Sequence, residues 1–278
     1  MSRWVCGFAA GVALCTTVSS SAFAAVPVSS AENYVAGTGA GGYTTASSAT
    51  GAADGLTGES IGFPNILSPF SPAFEVDELT GIGAGGKITL KFAAPINLIT
   101  GSDFGVFTNV GLMDGDFPNG TNTNPAGTFS GVRKADVEVS LNGVNFFAIG
   151  RVTFDNPSNY FANAAGPFLT SAPADPVLAD YGQPFAGSLN DFSGLNWNAT
   201  LGLLNGSAGG TWIDADAAVP LLGQALLQYV RLSIPTGGIA GTDGKLFIDT
   251  LYAANAAVPE PASIACAAVL AGLVLRRR

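Results

Sequence analysis

Residues 135–147 read Ala-Asp-Val-Glu-Val-Ser-Leu-Asn-Gly-Val-Asn-Phe-Phe, and a repeat of two this regular suits only a strand with one face on a core and one in water. Val137, Val139 and Leu141 are expected inside, and Asp136, Glu138 and Ser140 outside. Asn142-Gly143 then reads as a two-residue hairpin turn, because both positions of that turn favour positive φ. A second alternating run, Lys87-Ile88-Thr89-Leu90-Lys91-Phe92, follows Gly85-Gly86 and places Ile88, Leu90 and Phe92 on the same kind of face. Further strands are expected at 103–108, 148–154, 229–234 and 245–251. Residues 217–228 hint at helix, weakened by Pro220 and Gly223. The chain therefore predicts an all-β fold, a single jelly-roll-like β-sandwich. The Asn-, Gly- and Pro-rich stretches 111–131 and 156–198 are too long for simple turns and are expected to be surface loops, the usual seat of binding in such a fold.

The two ends are of another kind. Arg3, an apolar stretch over 4–18 and the small-x-small sequence Ala22-Phe23-Ala24 before Ala25 have the order of a secretory signal peptide, so residues 1–24 are expected to be removed by signal peptidase. At the other end Val258-Pro259-Glu260-Pro261 precedes an apolar segment, 262–275, and the terminal Arg276-Arg277-Arg278. That segment would rise only about 21 Å as a helix, against a hydrocarbon core of about 30 Å, so it suits a short-lived anchor. The arginines would hold it on the cytoplasmic side, and the prolines keep the tripeptide extended and open to a protease. Both ends are thus expected to be helices flanking an exported domain over 25–257, with 258–278 as a separate signal.

The order of tripeptide, apolar segment and arginine cluster resembles the PEP-CTERM sorting signal. The resemblance implies processing by an exosortase, a membrane transpeptidase-like protease, with Val258, Pro259, Glu260, Pro261, Arg276, Arg277 and Arg278 as the residues read. It implies a cell envelope, outer-surface or extracellular matrix location, with membrane contact only through the C-terminal helix before processing and transient anchoring in the inner membrane. The body resembles exported surface proteins with a galactose-binding-like jelly roll, on the run 83–92, then Asp103-Phe104-Gly105-Val106-Phe107, the hairpin above, Tyr229-Val230-Arg231-Leu232 and Leu246-Phe247-Ile248-Asp249. That resemblance bears on fold more than on ligand.

Composition narrows the chemistry. There is no histidine, so His-dependent triads and ordinary zinc sites are excluded. Cys6, Cys15 and Cys266 all lie in the apolar ends, leaving the body without thiols. Of 20 acids and 11 bases, Glu260 and the arginines 3 and 276–278 belong to the ends, which leaves 19 acids against 7 bases between them. Such a body repels nucleic acid and anionic lipid and suits exopolysaccharide or other glycans, cations or proteins.

Four groups of residues are candidates. Asp114, Asp116 and Asn119 space oxygen ligands through a Gly-rich loop as calcium sites do, without EF-hand spacing; a solvated loop has the same composition. Trp197 and Trp212 would stack on sugars if exposed, and belong to the core if not. Asp214 and Asp216 beside Trp212 offer a further cation or sugar site. Glu75, Asp77 and Glu78 are the material for an exported carboxylate-dependent, glycosidase-like hydrolase, though such pairs normally come from separate elements across a cleft. The leading expectation is a non-catalytic surface protein with a structural or adhesive role and with glycan or calcium binding.

Overall fold

The computed structural model describes residues 25–254. The expected signal peptide with Ala22 and Ala24, the expected sorting tail and the two flanking helices expected there lie outside the described residues. Eleven strands carry the fold: β1 (Val26–Val35), β2 (Leu56–Thr57), β3 (Asn65–Ile66), β4 (Thr80–Gly83), β5 (Lys87–Asn97), β6 (Phe104–Thr108), β7 (Lys134–Ser140), β8 (Phe147–Thr153), β9 (Thr211–Ile213), β10 (Leu226–Ser233) and β11 (Lys245–Ala253). Two short helices, α1 (Trp197–Leu204) and α2 (Val219–Leu222), join them.

Nine of the strands form two antiparallel sheets that face each other and are continuous through β1, and β2 and β3 pair separately with each other. The first runs β8-β7-β10-β5-β1. In the second, β11 has β6 and then β9 on one side, and β4 with the opening residues of β1 on the other. Strand β1 changes sheets: Val26 and Pro27 pair with Ala253 and Tyr252, and from Val28 onward the strand pairs with β5. Ile88, Leu90 and Phe92 of β5, Val137 and Val139 of β7, and Val230 and Leu232 of β10 meet Phe104, Val106, Ile213, Leu246, Ile248 and Leu251 in one core. This is the expected all-β, jelly-roll-like sandwich.

The outer face of the first sheet is wet. Lys91 lies 3.6 Å from Glu32, Arg231 3.2 Å from Glu138 and Arg151 2.8 Å from Asp136, so cross-strand pairs of opposite charge cover it. Each exposed pair contributes about 0.2–1 kcal/mol.

The second sheet is different, because its outer face is also buried. Every residue of β6 and every residue of β11 after Lys245 is buried. Three further clusters lie on that outer side: Ile66, Phe70, Leu112, Phe161, Phe185, Phe192, Trp197 and Leu204; Phe107, Tyr181, Ala208 and Tyr252; and Leu67, Ala73, Leu79 and Phe247. The stretches 111–131 and 156–198, expected to be surface loops, thus build much of a packed third layer. Asparagine side chains stand in for the missing ladders there. Asn122 Nδ2 donates to the Phe192 carbonyl, Asn156 Nδ2 to that of Gly187, and Asn163 bonds both Asp175 and Val177.

Two local expectations are corrected. Asn142-Gly143 does not make a two-residue turn, since only Gly143 has a positive φ, 72°. Asn142 Oδ1 accepts from the Val144 and Asn145 amides, and Ser140 Oγ from those of Asn142 and Gly143, which opens a loop over 141–146 and leaves Leu141 only partly buried. Phe146 instead covers the Arg231 guanidinium, 3.4 Å from its ring centroid. The helix expected over 217–228 shrinks to α2, with Pro220 in its first turn and Gly223 ending it at φ 78°.

The two faces of β5 make a direct test of the sandwich. Phe92→Ala should cost about 3–5 kcal/mol in chemical denaturation, whereas Lys91→Ala on the wet face should cost under about 1 kcal/mol. Similar losses for both would contradict the assigned faces.

Candidate functional site

The sequence-derived candidates separate once the chain is folded. In the loop after β6, Asp114 turns inward: its Oδ1 accepts from the Asp116 and Thr121 amides and its Oδ2 from that of Gly120, all within 3.0 Å. Gly120 sits at φ 78°, where a β-carbon would come within 2.7 Å of Pro167, so the loop needs glycine there. Asp114 is therefore a brace for the loop, with its carboxylate engaged by three amides. Asp116 and Asn119 remain at the surface. They line a polar depression of about 460 Å³ together with Asn196, Asn198 and the edge of Trp197.

Neither tryptophan offers a sugar platform. Trp197 is buried, its Nε1 donates to the Ala164 carbonyl at 2.9 Å, and its ring meets Phe70 at 6.4 Å. Trp212 is partly buried, donates to the Gly209 carbonyl at 2.8 Å and packs edge-on against Phe107. Both hold the third layer together.

Among the acids before β4, Glu75 and Glu78 point inward, and Asp77 stays exposed. Glu75 accepts from the hydroxyl and amide of Ser60 and from the Glu59 amide, and these donors hold its carboxyl below the usual range. Glu78 accepts from the Thr57 hydroxyl and from the Phe74 and Glu75 amides. Both acids close a turn, and their lone pairs are engaged by the backbone.

The acids that do converge are Asp103, Asp214 and Asp216, each with a carboxylate oxygen within 4.8 Å of the others. The sequence pointed to the last two. Asp103 comes from the far end of the β6 to β9 pairing and could be joined to them only through that register. Asp103 is buried at the head of β6, accepting from the Ile99 amide at 2.6 Å and the Ala215 amide at 2.7 Å. Burial, opposed by those two donors and helped by Asp216 and Asp214, pushes its carboxyl up to about 6. Burial also raises Asp54, Glu78, Asp155 and, furthest, Asp249.

The sign of the resulting pH dependence follows from proton counting. A carboxyl raised on folding binds its proton more tightly in the native state, so stability falls as pH rises from the unfolded value near 4 through the folded one. For Asp103 this is worth up to about 3 kcal/mol. The melting temperature should therefore rise when pH is lowered from 7.5 to about 5, and Asp103→Asn should flatten that slope; an unchanged slope in the variant would refute the assignment to Asp103. Below about pH 4 the depressed Glu75 reverses the trend.

Comparison with known proteins adds information at one end of the chain. Residues 257–278 match the PEP-CTERM protein-sorting motif, beginning one residue before Val258. No curated protein matches the chain. Among solved structures it is similar to one described as GH31 CBM32-2 bound to GalNAc, at 11% identity over 66% of this chain and 80% of that one. The TM-score is 0.25, a likeness too slight to argue from. What is established is that this chain ends in a PEP-CTERM sorting motif, the signal of an exported protein sorted at the cell envelope.

Proposed function

We propose that the chain is made as three parts: residues 1–24 as a signal peptide cut before Ala25, residues 25–257 as the exported body, and residues 258–278 as a tail cleaved by an exosortase. The observation that carries this reading is the tail, where Pro259-Glu260-Pro261, the apolar segment and Arg276-Arg277-Arg278 occur in order within the matched motif. The tail anchors the precursor in the inner membrane until it is processed, and the body is then held at the cell surface or in the surrounding matrix.

The body acts there without catalysis, as a structural or adhesive module. Its inward acids support this, since Glu75, Glu78, Asp114 and Asp103 are engaged by backbone amides, and the polar depression beside Trp197 is lined by one carboxylate, that of Asp116. A carboxylate hydrolase needs two acids across one cleft. Contact with glycan falls to the third layer, whose loops expose Asp116, Asn119, Asn196 and Asn198.

Replacing Pro259-Glu260-Pro261 by three alanines should block processing, leaving the full tail in intact-mass spectra of the exported protein. The same spectra should give Ala25 as the first residue. A mature C-terminus identical to that of the parent would sink the exosortase reading.

A further inference from the structure

Arg133 is a cation buried in an acidic body. It is 5% exposed, its Nε donates to the Ser130 carbonyl at 3.1 Å, and Asp243 lies 3.8 Å from Nη2. Nη1 is buried and has no partner. A guanidinium with an unused N–H edge is an incomplete ion site, because its planar fork is matched by two oxygens of one anion.

Arg133 also lines a cavity. Phe70 and Phe74 from the segment before β4, Asn109 after β6, and Phe129, Ser130 and Arg133 before β7 line a hollow of about 340 Å³. Asn109 Oδ1 is also buried without a partner, an acceptor short of a donor. Phe74 and Phe129 are exposed, the latter 58%, so flat apolar walls open to solvent over a floor in which the two unfilled polar atoms are covered. Two cations gather beside it, offset in part by Asp243. Arg133 and Lys245 stand 4.9 and 5.6 Å from the ring of Phe247, two of the seven bases between the terminal signals gathered at one ring.

We propose that this hollow binds a uronic-acid residue of an acidic glycan. The carboxylate would meet Arg133, a ring hydroxyl would donate to Asn109 Oδ1, and the C–H face of the pyranose would pack on Phe129 and Phe74. A neutral sugar leaves Arg133 unmatched, and a bare carboxylate leaves the aromatic walls unused. The inference rests on the third layer being the glycan-facing side, and it is independent of how the tail is processed.

The test is calorimetry on the exported protein with trigalacturonate, galactose, acetate and sulfate. Trigalacturonate should bind at least about tenfold more tightly than each of the others, and more weakly as salt increases. Phe129→Ala, an exposed position whose loss leaves the core intact, should lower the affinity several-fold with little change in melting temperature, and Arg133→Lys should lower it further. Equal binding of galactose would reduce the site to a ring platform, and equal binding of acetate or sulfate would reduce it to a plain anion site. Either outcome, full affinity in the Phe129 variant, or no trigalacturonate binding at tens of millimolar, overturns the proposal.

Discussion

The burial of β11 on both faces is the constraint on which the remaining layers depend. One face of the strand closes the sandwich through Leu246, Ile248 and Leu251, and the other carries Phe247 and Tyr252 into the clusters of the third layer. A strand covered on one side would need only the first sheet. Covering the second side requires long connections with their own apolar residues, and this is what the segments between β1 and β4, between β6 and β7 and between β8 and β9 supply. The arrangement has a cost at Asp249, which is buried with Oδ2 unpartnered and its carboxyl pushed well above the ordinary range.

Such double burial explains what could be read from the sequence. Strands wet on one face announce themselves: β5, β7 and β10 show the alternation expected of them, and β6, β8 and β11 fall where the apolar runs lie. The third layer has no period to detect. Phe161, Tyr181, Phe185, Phe192 and Trp197 are spaced irregularly among Asn, Gly and Pro, and composition of that kind reads as loop. The edge strands β4 and β9 are too short to show a pattern, and β1 is masked by its change of sheet and by Asn33 at positive φ. At the sites, spacing identified Asp116, Asn119, Asp214 and Asp216 as acid or amide groups in loops. It could not show that Asp114 is consumed by backbone amides, or that Asp103 and Arg133 gain their surroundings from distant strands.

Carboxylates here do the work that regular hydrogen-bond ladders do elsewhere. Asp103, Asp114, Glu75, Glu78 and Asp191 each collect backbone amides at the head of a strand, a turn or a helical turn. Asp249 is the exception, buried with Oδ2 unpartnered.

The pairing of Val26 with Ala253 joins the two ends of the exported body. A chain that leaves the cell amino end first presents β1 before any of its partners. β1 cannot complete its ladder with β11 until residues 245–253, more than two hundred positions further on, have been made. Closure of the sandwich thereby waits for the final strand, which ends only a few residues ahead of the matched sorting motif at 257–278.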